Sequence, residues 1–495
     1  MAATSDGDPS ELTITELQAA MQDGRLTSVR LTERFLERVE AYDRSGPRLN
    51  AVLEVDPEAR EIADALDRER ASGRVRGPLH GIPLFLKDNI ATGDRLHTSA
   101  GSLALKDCIA PRDAFLVTRL RAAGAVILGK ANMTEWANFM TTLMPAGYSS
   151  RGGQVKNPYG ESLSPGGSSS GSAVVVAASL CTVAVGTETS GSILSPANWN
   201  SVVGVKPTLG LVSRSGIVPI AASQDTAGPF ARTVGDAAIL LGAMTGVDAE
   251  DCATRGSRRH ARTDYTEFLS ANGLEGARLG VPRAVFFERS SPLETPLLDA
   301  ALRALTDQGA SLVDPANIST ARAVTDFRSD VMLYEFKRDL NRYLRSLGPS
   351  SPVRSLRDLI KFNEARPEEM LRHGQVLLLA AQSTSGLRAA TYRRSRAEDL
   401  RLSRTEGIDE VMKRERLDAL VFPGWVGAAI GAKAGYPSVI VPAGYTAEGV
   451  PFGLTFLGRA WSEPTLLRLA HAFETATRLR RPPASVTPAA GGASL

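Results

Sequence analysis

Residues 164–206 constrain the fold of this 495-residue chain more than any other stretch. Two loops rich in glycine and serine, residues 166–172 and 186–192, flank a run of small apolar residues. The pattern predicts a helix that starts near Ser168 and a buried strand over residues 181–185. Glycine lets a ligand approach the backbone closely, and backbone N–H groups at such loops attract negative charge. We therefore expect a site suited to acyl-transfer chemistry.

Composition narrows the class of protein. Hydrophobic residues make up 43% of the chain and charged residues 22%, so the chain can bury a large core. Lys and Arg total 57 against 54 for Asp and Glu, with no basic block, so we expect no nucleic-acid partner. The longest small-apolar run, 173–185, is too short to cross a bilayer, so we expect no membrane partner.

The predicted compartment is the cytoplasm. The N-terminal residues show no basic segment followed by an apolar core, so no export signal is expected. Cys108, Cys181 and Cys252 are odd in number and far apart, which is typical of free thiols in a reducing compartment.

Alternating helix and strand patterns predict an α/β fold. No internal repeat or linker divides the chain, so we expect one large domain over residues 11–481. Residues 1–10 are expected to be disordered, and 482–495 to form a flexible tail. Residues 320–415 are strongly helical and charged, and we expect them to cover the substrate side of the domain.

The candidate base is a lysine. A serine hydroxyl is a poor nucleophile without a neighbouring base. The chain has only five histidines, and none falls in a recognisable pairing with serine. Lys87 closes the apolar strand pattern 84–86, where burial would lower its pKa enough for it to accept a proton.

At these residues the chain resembles the amidase signature family, whose enzymes use a Ser–Ser–Lys triad. The resemblance covers about residues 10–480, and its motifs occur in the family's order. The matching stretches are 83–89, 132–137, 164–171, 186–193, 204–208 and 223–229. The resemblance implies one α/β domain with a mixed central sheet surrounded by helices, in which the site lies at the carboxyl ends of strands.

The resemblance also implies the role of each site residue. Ser192 would be the nucleophile, Ser168 the bridging serine and Lys87 the base, with a cis peptide between Gly167 and Ser168. The expected oxyanion-binding groups are the backbone N–H groups of Thr189, Ser190, Gly191 and Ser192. No metal and no other cofactor is expected.

One departure from the family pattern concerns the charge of the substrate that the enzyme would accept. Leu194 stands where the family usually has arginine, and this part of the chain looks most like the peptide amidases. We expect Leu194 to line the substrate pocket with Trp136 and Tyr148, and to favour a neutral carboxamide by rejecting anions. The alternative is that Leu194 packs in the core. The expected partner is a small-molecule or peptide amide, bound by a monomer or homodimer.

Three other functions are weighed against hydrolysis of amides. Residues 167–171 also fit the G-x-S-x-G motif of α/β-hydrolase esterases, with Ser169 as nucleophile and His471 as base. That motif needs a strand immediately before it, and a turn-rich loop stands there instead. A catalytically dead scaffold is disfavoured because Lys87, Ser168 and Ser192 are all present. The third is the amide-transferring subunit of a larger complex, and the missing arginine argues against glutamine as donor.

Overall fold

An eleven-stranded mixed sheet organises the molecule, and a separate two-stranded hairpin accompanies it. The computed structural model describes residues 8–349 and 351–486. The strands in this described part are β1 Val52–Val55, β2 Pro83–Lys87, β3 Val126–Ala131, β4 Tyr148–Ser149, β5 Gly153–Gln154, β6 Val183–Glu188, β7 Val203–Lys206, β8 Thr226–Ala231, β9 Arg278–Gly280, β10 Ser311–Val313, β11 Ala419–Pro423, β12 Ser438–Tyr445 and β13 Pro451–Leu457.

The sheet runs in the order β1-β3-β2-β6-β8-β7-β12-β13-β11-β9-β10. Strands β3, β2 and β6 are mutually parallel, whereas β8, β7, β12 and β13 continue the sheet in antiparallel pairs. The hairpin pairs β4 with β5. The predicted α/β domain with a mixed central sheet is confirmed.

Helices cover the sheet. Those in the described part are α1 Ile14–Gln22, α2 Ser28–Arg38, α3 Ala59–Ala71, α4 Phe115–Ala122, α5 Ser170–Ala177, α6 Leu194–Trp199, α7 Val234–Met244, α8 Arg283–Phe286, α9 Thr295–Asp307, α10 Ala321–Asp326, α11 Val331–Ser346, α12 Leu356–Glu364, α13 Pro367–Met370, α14 Val376–Ser383, α15 Ala390–Leu400, α16 Asp409–Arg414, α17 Ala428–Ala434 and α18 Glu463–Thr477.

Helix α5 lies in the interior, and every one of its residues is buried. Its small side chains permit this position: a Cβ at Gly171 would lie 2.3 Å from the carbonyl oxygen of Asn132. The helix begins at Ser170 and not near Ser168, because Ser169 has non-helical dihedral angles, φ −83° and ψ 44°. The predicted buried strand at 181–185 is β6, which begins two residues further along the chain.

Helices α11, α12 and α14 pack through a second apolar cluster, whereas the buried apolar residues of α10 and α16 belong to a third. Phe336, Leu340 and Leu344 on α11 meet Leu359 on α12 and Leu378 on α14. These helices occupy the stretch 320–415, for which the sequence predicted a helical region.

The two ends of the described chain are held by specific contacts. Asp8 forms an ion pair with Arg34, and the Ser485 hydroxyl donates a hydrogen bond to the carbonyl oxygen of Pro158. These contacts involve residues in the stretches 8–10 and 482–486, for which the sequence predicted disorder and a flexible tail. Residues 1–7 and 487–495 lie outside the described residues. No helix within the described ranges is long and apolar enough to cross a membrane.

Candidate active site

Lys87, the last residue of β2, has a completely buried side chain. Its Nζ lies 2.8 Å from Ser168 Oγ, 2.9 Å from Ser169 Oγ and 2.9 Å from Thr187 Oγ1. A weaker contact of 3.3 Å joins it to the carbonyl oxygen of Thr187. The amine is therefore surrounded by three hydroxyl groups at hydrogen-bonding distance.

Burial dominates the electrostatics of this amine. Removal from water disfavours the charged form and lowers the pKa of Lys87 to about 7, although the carboxylates of Glu188 and Asp225 favour the charge and oppose the shift. Neither carboxylate forms an ion pair with Lys87 within the described part of the chain. A substantial fraction of this lysine is therefore neutral at physiological pH.

Sheet topology brings Lys87 to Thr187. Strands β2 and β6 are parallel neighbours, with Leu86 in register with Val185. The carboxyl ends of parallel neighbours meet at one edge of the sheet, so the residues that follow these two positions share that edge. Lys87 ends β2 there, and Thr187 is the next-to-last residue of β6.

The first glycine–serine loop contributes two hydroxyls to this edge, those of Ser168 and Ser169. The peptide between Gly167 and Ser168 is cis, as the family resemblance implied. Ser168 is completely buried, and its carbonyl oxygen accepts a hydrogen bond from Thr134 N–H at 3.0 Å. Ser169 N–H donates to the carbonyl oxygen of Ser192 at 3.2 Å, which ties the two glycine–serine loops together.

Residues 189–192 of the second glycine–serine loop join β6 to α6, and we call them the oxyanion loop. Ser192 is 8% exposed, and within the described residues its hydroxyl makes no hydrogen bond. The loop's backbone N–H groups, from Thr189 to Ser192, also donate to no residue in the described ranges. Four unsatisfied donors beside a free hydroxyl form an arrangement suited to a developing oxyanion.

Glu188 shapes this loop. Its Oε2 accepts hydrogen bonds from the backbone N–H groups of Ile193, at 2.8 Å, and Leu194, at 3.1 Å. Ile193 is the N-cap of α6 and Leu194 its first residue, so neither N–H has a partner within the helix. The carboxylate therefore closes the turn from the end of β6 to the start of α6.

Asp225 supports the loop from the other side. It accepts a 2.5 Å hydrogen bond from the Thr189 hydroxyl, and its Oδ2 accepts from Ile220 N–H and Ala221 N–H at 2.9 Å each. Burial raises the pKa of Asp225 to about 7, and these hydrogen bonds oppose the shift. The Gln224 side chain adds a 3.2 Å hydrogen bond to the carbonyl oxygen of Thr189.

A cavity of about 280 Å³ opens beside the loop. Its walls come from Asn89, from residues 187–189, from the segment 214–226 and from the face of α11 that carries Asp339 and Tyr343. A volume of this size lies at the small end of the range for small-molecule sites. The helical region thus contributes to the cavity, and Thr187 and Thr189 bring the end of β6 and the start of the oxyanion loop to its wall.

The three residues that the sequence analysis placed in the substrate pocket do not line this cavity. Leu194 is completely buried in the main core, because α6 places it against the sheet, so the alternative of core packing describes its position. Trp136 is 1% exposed and packs in the second apolar cluster, although its neighbour Ala137 lines the cavity. Tyr148 packs edge-on against His373, with ring centroids 4.9 Å apart. None of these three residues lines the cavity beside the oxyanion loop.

The esterase alternative is not supported by the geometry at Ser169. Its hydroxyl donates a 2.9 Å hydrogen bond to the carbonyl oxygen of Thr187, and Lys87 is its other side-chain partner. His471 lies on α18, half-buried, where burial lowers its pKa, and it makes no hydrogen bond to Ser169. No strand precedes the loop directly.

Sequence reasoning missed several contributors to this site. Thr187 and Asn89 contact each other, with Asn89 Nδ2 donating to Thr187 Oγ1 at 3.0 Å. Both lie inside motifs that carried the family resemblance, as Asp225 does, so the motifs were the available signal.

Comparison with known proteins establishes the family. The sequence model of the amidase family matches residues 30–467. The chain therefore belongs to the amidase family, and it is an enzyme that hydrolyses amides.

Particular relatives refine this placement. The solved structure of a peptide amidase from Stenotrophomonas maltophilia is 48% identical, with a TM-score of 0.91 over 96% of this chain and 99% of the other. A peptide amidase has also been solved with the competitive inhibitor chymostatin. A "Probable amidase" from Arabidopsis thaliana is 44% identical over 96% of this chain and 91% of its own length. One subunit of the glutamyl-tRNA(Gln) amidotransferase of Halorhodospira halophila is 36% identical over 94% of this chain and 97% of its own.

Proposed function

We propose that this amidase cleaves the C–N bond of neutral carboxamides, including C-terminal peptide amides, through an acyl-enzyme at Ser192. Ser168 relays protons between Ser192 and Lys87, which acts as the base. The observation that carries the proposal is the buried Lys87 amine, with a pKa near 7, 2.8 Å from Ser168 Oγ.

The hydrogen bonds around neutral Lys87 support a direction for its lone pair. The Ser169 hydroxyl donates to the carbonyl oxygen of Thr187, so its oxygen can accept from the amine. Thr187 Oγ1 already accepts from Asn89 and can accept a second hydrogen bond from the amine. A neutral amine has two N–H donors and one lone pair. If both donors are directed to Ser169 and Thr187, the lone pair faces Ser168, as the proposed relay requires.

The chemical steps follow from this arrangement. Lys87 takes the proton of Ser168, Ser168 takes the proton of Ser192, and Ser192 Oγ attacks the amide carbonyl carbon. The N–H groups of residues 189–192 stabilise the oxyanion. When the C–N bond breaks, the proton returns through Ser168 to the leaving nitrogen. Water then attacks the acyl ester by the same relay and releases the acid.

The preference for a neutral substrate rests on the charges around the cavity. Three arginines lie at its walls, and each is paired with a carboxylate: Arg112 with Glu250, Arg214 with Asp251, and Arg342 with Asp339. Arg342 shares Asp339 with Arg338, and its side chain is 74% exposed to solvent. Among the described residues at the buried part of these walls, the cation Arg214 is held by Asp251 and is not free to pair with a substrate carboxylate. Burying an unpaired carboxylate costs several kcal/mol, so anionic groups should be rejected. The similarity to peptide amidases supports peptide amides within the neutral class.

Product analysis tests this proposal. Purified enzyme is given neutral peptide amides, aryl amides, a malonamate-like anion and free glutamine, and released acids and ammonia are measured by mass spectrometry. We expect turnover of the neutral amides and little of the anion or glutamine. Faster release of ammonia from glutamine than from any peptide amide would favour the amide-transferring alternative.

Labelling tests the roles of the residues in the same protein. A fluorophosphonate probe should modify Ser192, and Ser192→Ala should remove both labelling and turnover. Ser168→Ala should lower turnover by several orders of magnitude with an unchanged circular dichroism spectrum. Modification of Ser169, or a dead His471→Ala variant, would support the esterase mechanism.

A further inference from the structure

Trp425 is a large aromatic side chain exposed beside the oxyanion loop. It follows the strand β11, and 40% of it is accessible to solvent. A Cβ at Gly191 would lie 3.2 Å from Cε3 and 3.3 Å from Cζ3 of the indole. The six-membered ring of Trp425 therefore covers Gly191, the residue immediately before the proposed nucleophile Ser192.

The backbone holds this indole in place. Gly424 N–H donates to the carbonyl oxygen of Gly453 at 2.8 Å, and the Thr455 hydroxyl donates to the carbonyl oxygen of Gly424 at 2.6 Å. On the other side, the Ala428 N–H donates to the carbonyl oxygen of Trp425 at 3.0 Å, at the start of α17. The ring is presented from two fixed elements and not from a long loop.

The indole and the cavity lie at different ends of the oxyanion loop. Thr189, at one end of the oxyanion loop, lines the cavity, whereas Gly191, near the other end, contacts the indole. A substrate carbonyl held by the loop would thus have the cavity on one side and an exposed aromatic face on the other. Aromatic rings offer a large, rigid and apolar contact surface, and tryptophan is enriched in recognition sites for that reason.

We propose that Trp425 is a specificity-determining residue: its indole packs against the side chain of the amidated residue and favours aromatic and large aliphatic residues there. This inference rests on the proposed hydrolysis of peptide amides. The substrate class it names is peptide amides with an apolar C-terminal residue.

The kinetic test uses a matched series of N-acylated dipeptide amides that end in Gly-NH2, Leu-NH2 or Phe-NH2. For Trp425→Ala we expect kcat/KM to fall by about tenfold for the Phe and Leu amides and less than about threefold for the Gly amide. The loss should appear mainly in KM. Trp425→Phe should restore most of the preference, since it keeps an aromatic face.

A matched control is available in Trp461. Its ring stacks on His260, with centroids 4.8 Å apart and planes 7° from parallel, outside the cavity walls. Trp461→Phe should leave the Phe-to-Gly ratio of kcat/KM unchanged. An equal loss for all three amides in Trp425→Ala, or an unchanged ratio, would overturn the specificity role. If no amide of the series is hydrolysed by the wild-type enzyme, the proposed function itself fails.

Fluorescence gives a readout that a purely structural role would not produce. In a Ser192→Ala background, the Phe-NH2 substrate can be titrated without turnover while tryptophan emission is recorded. Covering the exposed indole should change the emission, and the change should vanish in Ser192→Ala/Trp425→Phe but persist in Ser192→Ala/Trp461→Phe. A signal that survives the loss of Trp425 would show that the substrate does not cover this ring.

Discussion

The pH dependence of turnover tests the proposed base directly. The proposed mechanism needs neutral Lys87, so the rate should rise with pH as the amine loses its proton. With a pKa of about 7, about a tenth of the amine is neutral at pH 6 and about nine tenths at pH 8. We expect kcat/KM for a neutral peptide amide to increase about eightfold to tenfold between these values and then to level off.

A substitution at Glu188 tests whether the pKa seen in the pH profile of turnover belongs to Lys87. Other buried groups titrate in the same range, with a pKa of about 7 for Asp225 and about 8 for Lys206, so a profile alone does not identify the base. The Glu188 carboxylate favours the charged form of Lys87. Glu188→Gln removes that charge but keeps an oxygen that can accept from Ile193 and Leu194.

The variant should therefore lower the pKa of Lys87 and move the rising limb of the profile to lower pH. A shift of about one unit is the scale expected of a single nearby charge. The assay is kcat/KM from pH 5 to pH 10 for both proteins, with circular dichroism at each pH as the control for folding. A wild-type rate that keeps rising through pH 10, as an ordinary lysine would give, refutes the reasoning. A rising limb of the pH profile that moves to higher pH in Glu188→Gln would also refute it.

Two further predictions concern Leu194 and metal ions. Leu194 is completely buried in the main core, so Leu194→Arg should lower the free energy of unfolding by several kcal/mol, measured by urea denaturation. The variant should not gain a preference for anionic amides. A stable variant that gains activity on a malonamate-like anion would show that residue 194 does contact the substrate. Dialysis against EDTA should leave kcat/KM unchanged, and a loss that added divalent metal reverses would contradict the cofactor-free mechanism.

Much of the fold could be read from local patterns. Apolar runs bounded by glycine and proline predicted β2 and β6, and the glycine–serine loops predicted the turns around α5. The structure moved the start of α5 to Ser170, because the dihedral angles of Ser169 are set by its contacts with Lys87 and Thr187 and not by helix propensity. Such tertiary contacts leave no periodic signal in the sequence.

The partners within the site could be predicted only as far as the family resemblance extended. The resemblance supplied candidates for the triad, but the contact of Lys87 with Thr187 depends on β2 and β6 being parallel neighbours in the sheet. Strand order is not encoded in any local stretch. The same limit explains the error at Leu194: its neighbour Ser192 is in the loop, but the first turn of α6 directs residue 194 into the core.

Glu188 explains how the loop can hold four free amides at once. A turn from a strand into a helix leaves several backbone donors without partners, and burial of such donors is costly. Here the Glu188 carboxylate satisfies the donors of Ile193 and Leu194, the two that face the core. The donors of residues 189–192 stay unpaired among the described residues, and Thr189 lines the cavity. A single buried carboxylate thus separates the structural half of the turn from the half that is free to bind an oxyanion.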